Sequence, residues 1–153
     1  MVTLSSSAIA SAEAITVDRI TSVGELEDVR DEWNALWLRT ESTPFQSPAW
    51  LIPWWRNLGV GALETLALRH DGELVSIAPL YIYPNPNSSS RDVLLVGCGT
   101  SDYLDVVSEP PFEAHVLRAV FAHLERERAR WDRCQFTQLR SGSPLLRGEV
   151  PRG

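Results

Sequence analysis

Hydrophobic positions change their spacing several times along the chain, and the first 40 residues predict a strand followed by a helix. Apolar and polar residues alternate over residues 14–20, as they do in a half-buried strand. Ser22 and Glu25 form a capping box, which is a start signal for a helix. The apolar residues that then recur at helical spacing are Leu26, Val29, Trp33 and Leu36. The opposite face is acidic, which is typical of a solvated helix surface.

A second helix is predicted over residues 48–58. Ser47 supplies its N-cap and Pro48 its first helical position, whereas Pro53 should kink it because proline removes a backbone donor. The chain has six tryptophans, and half of them lie here, as Trp50, Trp54 and Trp55. This segment is therefore predicted to be central either to the core or to a binding surface.

The next part of the chain predicts strands. Residues 64–69 and 73–83 read as two strands joined by the hairpin turn Asp71-Gly72, and Pro79 predicts a bulge or an edge position in the second of them. Further strands are predicted over residues 92–98, 104–107 and 132–139.

A third helix is predicted after Pro111. Its inner face would consist of Val116, Leu117, Val120, Phe121 and Leu124. The element order is then β-α-α-β-β-β-(β)-α-β, which predicts an α/β fold with a mixed, mostly antiparallel sheet and flanking helices. We expect a flexible N-terminal arm over residues 1–12, one domain over residues 13–140 and a linker-like tail over residues 141–153.

The amino-acid composition excludes several classes of function. The 153 residues fit one domain, and a net charge of −6 argues against binding to nucleic acid phosphates. All 14 basic residues other than histidine are arginine, so Schiff-base chemistry, a P-loop lysine and a lysine general base are excluded. No window is long enough to span a membrane. Because two cysteines, Cys98 and Cys134, are too few for a disulfide framework, we expect a cytoplasmic protein.

Two segments supply candidate site residues. The first contains Phe45, Gln46, Trp50 and Trp54, in which Gln46 lies between two prolines that stiffen the loop. A rigid loop suits a substrate contact, although an aromatic stripe at helical spacing is more often part of a core.

The second segment contains Asp102, Tyr103 and Asp105 in a polar turn. One carboxylate could hold an acceptor and the other act as a base, with Tyr103 as a hydrogen-bonding or stacking partner; alternatively, both aspartates make local turn contacts. No metal site is predicted, because His115 and His123 lie eight residues apart on one helix and cannot share an ion.

Several motifs resemble one family. They are Pro44-Phe45-Gln46-Ser47-Pro48-Ala49-Trp50, Trp54-Trp55-Arg56, Ala78-Pro79-Leu80-Tyr81, Gly99-Thr100-Ser101-Asp102-Tyr103-Leu104-Asp105 and Gln138-Leu139-Arg140-Ser141-Gly142-Ser143-Pro144. The sequence resembles the CelD/BcsL-like group of GNAT-fold acyltransferases, which is associated with cellulose and exopolysaccharide biosynthesis and is distantly similar to FemAB-type aminoacyl transferases.

This resemblance implies an acetyltransferase-like three-layer sandwich and the N-terminal lobe of a two-lobe family. It implies acyl-CoA as co-substrate of the whole family, held by a glycine-rich loop at a helix N-terminus in the second lobe, and no cofactor site within this chain. The implied partners are a small-molecule or sugar acceptor and a second GNAT lobe. Three functions stay open: an acceptor-binding enzyme lobe, a non-catalytic sugar- or amine-binding module, and a truncated remnant without function.

Overall fold

The computed structural model describes residues 14–146 as a mixed α/β domain with two four-stranded sheets. The α-helices are α1 (Val23–Asp28), α2 (Arg30–Leu38), α3 (Pro48–Leu58) and α4 (Glu113–Arg126). The strands are β1 (Thr16–Ile20), β2 (Ala62–Leu63), β3 (Thr65–His70), β4 (Glu73–Ala78), β5 (Leu80–Pro84), β6 (Arg91–Leu95), β7 (Val107–Ser108) and β8 (Arg133–Cys134). The predicted N-terminal arm lies outside the described residues.

One sheet has the order β1-β3-β4-β7 and the other β2-β5-β6-β8. All the pairings are antiparallel except that of β8 with β6, which is parallel and follows the crossover through α4. The predicted hairpin turn is confirmed: Asp71 and Gly72 have φ angles of 49° and 82°, as a type I′ turn requires.

The predicted strand over residues 73–83 is divided at Pro79, so that β4 belongs to one sheet and β5 to the other. Proline cannot donate to a strand ladder, and here its carbonyl accepts a hydrogen bond from the Val96 amide at 2.7 Å. The preceding segment, residues 62–70, is divided in the same way: Glu64 separates β2 from β3, and these two strands belong to different sheets. The prediction of a bulge or edge position therefore understated the effect of this proline.

The strand next to β4 and β5 is interrupted as well. β6 ends at Leu95 and β7 begins at Val107, and both pair antiparallel with the β4–β5 run. Residues 97–106, which we call the central loop, leave the sheets between them. The strands predicted over residues 92–98 and 104–107 are therefore wrong in their bounds. Most of the predicted strand over residues 132–139 is irregular, with β8 at its start and a bridge between Leu104 and Leu139 at its end.

Helices cover the sheets and close the core. Half of the predicted capping box is present: the Glu25 amide donates to Ser22 Oγ at 3.2 Å, whereas the Glu25 carboxylate accepts from the Ser22 hydroxyl at 3.0 Å and not from its backbone amide. The single helix predicted here is two helices, because Val29 (φ −94°, ψ 2°) breaks the α-helical geometry. The buried residues of α4 include Val116, Val120, Phe121 and Leu124, as predicted, whereas Leu117 is half-buried. None of the helices described over residues 14–146 is long and apolar enough to cross a membrane.

The start of the predicted linker is packed against the domain. Ser143, Pro144 and Leu145 are buried, and residues Pro144–Leu146 form a 3-10 turn. Residues 141–146 are therefore part of the folded unit over their described length, while residues 147–153 lie outside the described residues.

Candidate functional site

The central loop begins with two glycines that turn the chain out of the sheet. Gly97 and Gly99 have φ angles of 99° and 86°, which side-chain-bearing residues rarely adopt. A Cβ atom at Gly97 would lie 2.9 Å from Leu51 Cδ2 and 3.0 Å from Ser101 Oγ, whereas one at Gly99 would meet no atom within 4 Å. Packing therefore constrains the first glycine more than the second.

Helix α3 holds this loop through two tryptophans. Trp50 Nε1 donates to Ser101 Oγ at 2.8 Å, and Trp54 Nε1 donates to Thr100 Oγ1 at 2.6 Å. The two indoles share one face of the helix, as their spacing predicts. Their environments differ, because 41% of Trp50 is exposed but only 8% of Trp54. Trp54 therefore supports the loop, while Trp50 is open to solvent.

Two other segments hold the far end of the loop. Thr43 Oγ1 donates to the Tyr103 carbonyl at 3.3 Å, and the Leu104 amide donates to the Gln138 carbonyl at 3.0 Å. Tyr103 and Gln138 both have positive φ, 58° and 60°, so both backbones are strained. Strained residues that are held by several partners are found more often at functional sites than elsewhere.

Phe45, Trp50, Asp102 and Tyr103, which we call the aromatic surface, are the predicted site residues that reach solvent. The rings of Phe45 and Trp50 meet edge to face, with centroids 5.4 Å apart. Phe45 is half-buried, whereas Asp102 is exposed and Tyr103 is 57% exposed. The hydrogen bonds and ion pairs described for these four residues include no arginine or histidine. This surface is aromatic and, through Asp102, negatively charged.

The prediction that Gln46 is a loop residue available to substrate is wrong. It is fully buried, and its Oε1 accepts a hydrogen bond from the Thr43 amide at 2.7 Å, which completes a capping box around the 3-10 turn Pro44–Gln46. Its Nε2 is buried without a partner among the described atoms. The rigid flanking prolines therefore place Gln46 in the interior, where it orders the entry to α3.

Asp102 and Asp105 do not form a shared site. The Asp105 side chain is buried, where its Oδ1 accepts hydrogen bonds from Ser143 Oγ and the Val106 amide, both at 2.8 Å, and its Oδ2 lies 3.4 Å from Arg140 Nη2. Burial raises the pKa of Asp105, and these three groups only partly oppose that shift. A buried carboxylate with these partners anchors the loop, so the structure supports the alternative of local contacts for Asp105.

The sequence missed three residues that shape this site. Thr100, Ser101 and Gln138 receive or make the contacts that hold the loop, and all three lie within the motifs that carry the family resemblance. Gln138 Oε1 accepts from the Gly99 amide at 3.3 Å. The motifs at 44–50, 99–105 and 138–144 are therefore parts of one structural unit, a fact that their sequence positions did not reveal.

At the junction between β7 and α4, the strand leads through the 3-10 turn Pro110–Phe112 to the N-terminus of the longest described helix. A pyrophosphate there would need free backbone amides and a positive surrounding. This junction instead contains Pro110 and Pro111, which have no amide proton, next to Glu109 and Glu113. Arg39 is already paired with Glu109 and donates to the Leu74 carbonyl at 2.7 Å. These residues do not fit an acyl-CoA pyrophosphate.

A cleft of about 670 Å³ lies beside this junction. Its lining includes Arg39, Glu41, Glu113 and Arg140, so charges of both signs surround it. Arg140 Nη1 donates to the Glu41 carbonyl at 2.6 Å, and its Nη2 faces Asp105. The arginines of this cleft are therefore engaged in holding the fold.

The cysteines and histidines do not assemble a second site. Among the described residues, no group of three or more His, Cys, Asp or Glu side chains is placed to hold a metal ion. Cys98 Sγ lies 3.0 Å from the Tyr81 hydroxyl, and burial raises the pKa of Cys134 to about 11. His123 is buried and bonded to Glu64.

Comparison with known proteins defines the fold class. The chain is similar to the crystal structure of a ribosomal-protein-alanine N-acetyltransferase from Brucella melitensis biovar Abortus 2308, with a TM-score of 0.50 and 20% sequence identity. The match covers 84% of this chain and 83% of that one. This likeness confirms the predicted GNAT-type fold. No family model matches the sequence, and no curated protein matches it.

Proposed function

We propose that this domain is the acceptor-binding lobe of a GNAT-fold acyltransferase and that it binds a sugar or a small amine on the aromatic surface. The observation that carries the proposal is the convergence of three separate chain segments on the central loop. Hydrogen bonds from Trp50 and Trp54 on helix α3, from Thr43 and to the Gln138 carbonyl fix the loop. Trp50, Asp102 and Tyr103 are left open to solvent.

The exposure of Tyr103 and its backbone strain support a ligand at this surface. A large aromatic residue gains little by being exposed, and an exposed tyrosine at positive φ carries an additional backbone cost. A stability requirement alone would favour glycine or asparagine at the Tyr103 position, since both tolerate this conformation. A tyrosine there is explained if its ring contacts a ligand.

The acyl donor would be held elsewhere. The β7–α4 junction offers two prolines and two carboxylates where a pyrophosphate needs amides and positive charge, so this domain would not supply the acyl-CoA site. That arrangement fits the resemblance to a two-lobe family, in which a second lobe binds acyl-CoA. On the aromatic surface, Asp102 is the exposed carboxylate that can accept a hydrogen bond from an acceptor hydroxyl or ammonium group.

Titration of the ¹⁵N-labelled chain with three probes tests the proposal. The probes are methyl β-D-glucopyranoside, n-propylammonium chloride and acetyl-CoA, followed through the indole N–H signal of Trp54, which contacts the central loop and is retained in every variant of this test. We expect saturable binding of one of the first two. Trp50→Ala should weaken that binding at least about 5-fold, because it removes the exposed ring, which corresponds to about 1 kcal/mol.

Leu58→Ala is the matched control, since Leu58 is 52% exposed on the same helix and makes no described contact with the central loop. We expect it to bind the probe as the unchanged chain does. Binding of neither acceptor probe would overturn the proposal. So would saturable binding of acetyl-CoA tighter than about 100 μM, a binding free energy near −5.5 kcal/mol, because a complete acyl-donor site would then be present.

A further inference from the structure

Two neighbouring hydroxyl groups on the central loop have the same unusual hydrogen-bond pattern. Thr100 Oγ1 and Ser101 Oγ each accept a hydrogen bond from an indole N–H, at 2.6 and 2.8 Å. Neither hydroxyl donates its own proton to any group in residues 14–146. Both oxygens thus serve as acceptors within the protein and keep their donor capacity free.

This pattern has a chemical consequence. An indole N–H can only donate, so each hydroxyl must use a lone pair toward its tryptophan and direct its proton elsewhere. Accepting a hydrogen bond also polarises the O–H bond and makes the hydroxyl a better donor. Trp50 and Trp54 therefore orient two protons as well as holding the loop.

The Thr100 donor lies beside an acceptor and aromatic rings. Thr100 is exposed, whereas Ser101, with 2% of its surface exposed, lies inside the loop. Asp102 follows directly and is exposed, and a carboxylate can only accept. The surface thus combines a donor, an acceptor and ring faces within a few residues.

We infer that the ligand of the aromatic surface is a neutral polyhydroxyl compound, bound through the exposed Thr100 hydroxyl as donor and Asp102 as acceptor; this inference rests on the proposed function. A polyhydroxyl ring offers oxygens that accept, hydroxyls that donate and a C–H face for Trp50. An ammonium group offers donors alone and leaves the Thr100 hydroxyl proton unpaired. An anion would be repelled by Asp102, whose described contacts include no compensating cation.

The test uses substitutions that separate the hydroxyl from the shape of the side chain. Thr100→Val keeps the branched shape and loses the hydroxyl, whereas Thr100→Ser keeps the hydroxyl. With methyl β-D-glucopyranoside as the probe, we expect Thr100→Val to raise the Kd about 5- to 10-fold, as the loss of one hydrogen bond does. The Kd of Thr100→Ser should stay within about 2-fold of that of the unchanged chain, because serine keeps the hydroxyl and its hydrogen bond.

Thr21→Val is the matched control. Thr21 is exposed, and its hydroxyl donates to Glu25 on helix α1, away from the central loop. It should bind the glucoside with unchanged Kd.

Monodeoxy analogues of the glucoside exclude a merely structural effect, because Thr100→Val also leaves the Trp54 N–H without its acceptor. A distorted loop would weaken every analogue equally. A direct hydrogen bond predicts that one analogue, the one lacking the oxygen that Thr100 contacts, binds Thr100→Val and the unchanged chain equally well.

The outcomes separate this inference from the proposed function. Equal weakening of all analogues, or no effect of Thr100→Val, overturns the inference and leaves acceptor binding intact. Binding of n-propylammonium without binding of the glucoside has the same meaning. If neither probe binds, both the inference and the proposed function are wrong.

Discussion

Glu64 Oε1 and His123 Nε2 lie 2.8 Å apart in the interior, where the break between β2 and β3 faces helix α4. The same carboxylate accepts hydrogen bonds from Arg19 at 2.7 Å and from Arg130 at 2.7 Å. Glu64 is 1% exposed and His123 is 4% exposed. A buried carboxylate with three basic partners joins the first strand, the sheet break, the helix and the segment after it.

Replacing Glu64 by glutamine should destabilise the domain in a pH-dependent way. Burial alone would raise the pKa of Glu64, but hydrogen bonds from His123, Arg19 and Arg130 lower it from 4.5 to about 2. Its contribution is therefore complete above pH 4.5 and is lost as the pH falls toward 2. Because the two arginines are partly exposed, we expect Glu64→Gln to lower the free energy of unfolding by about 2 kcal/mol at pH 7.

Urea denaturation of Glu64→Gln and the unchanged chain from pH 7 to pH 2 measures this contribution. The difference in unfolding free energy should shrink between pH 4.5 and pH 2. A difference that stays constant over this range would show that the carboxylate charge is not what stabilises the junction.

Asp105→Asn should show the opposite pH dependence. Because burial raises the pKa of Asp105 in the folded state, the unchanged chain binds this proton more tightly when folded and loses stability as the pH rises through the raised pKa. Asparagine cannot titrate, so the unchanged chain should exceed the variant in stability by more at pH 3.5 than at pH 7. The same denaturation series checks this, and a difference that grows with pH would contradict it.

Two glycines of the central loop should differ in their tolerance of alanine. Both substitutions place alanine at positive φ, which costs about 1 kcal/mol. Gly97→Ala adds contacts below 3.1 Å to Leu51, Leu104 and Ser101, and should cost about 2 kcal/mol more, as overpacking does. Thermal melts of Gly97→Ala and Gly99→Ala compare the two, and equal melting temperatures would mean that the loop moves to accommodate a side chain.

Tyr103→Gly should separate stability from ligand binding. Glycine adopts the φ of 58° without strain, so this variant should be more stable than Tyr103→Ala by about 1 kcal/mol. Both variants lack the ring and should lose affinity for the acceptor probe to a similar degree. Chemical denaturation and probe titration of the pair give the two values, and unchanged probe affinity would remove Tyr103 from the site.

Local signals in the sequence predicted the local parts of this fold. The Asp71-Gly72 turn follows from two adjacent residues that tolerate positive φ, and the start of α3 follows from Ser47, whose Oγ accepts the Trp50 amide at 3.3 Å. The exchange of sheets at Pro79 was not predictable in the same way. It depends on the Val96 amide, which lies directly after β6, 17 residues along the chain from Pro79.

For a similar reason, only part of the candidate site could be predicted from the sequence. Sequence spacing placed Asp102 and Asp105 in one turn, but it did not show that Asp105 would face Ser143 and Arg140, more than 30 residues later. Likewise, two prolines beside Gln46 indicate a rigid loop and do not tell whether the amide points inward. Long-range packing decides both, and the sequence of one chain does not display it.

The interruption between β6 and β7 makes the central loop an exchangeable part. The strand register before it is set by pairing with β5, and the register after it by pairing with β4, which belongs to the other sheet. A change in loop length is therefore absorbed outside both ladders. Substitutions at the exposed positions of this loop, Thr100, Asp102 and Tyr103, therefore change the aromatic surface without altering either ladder.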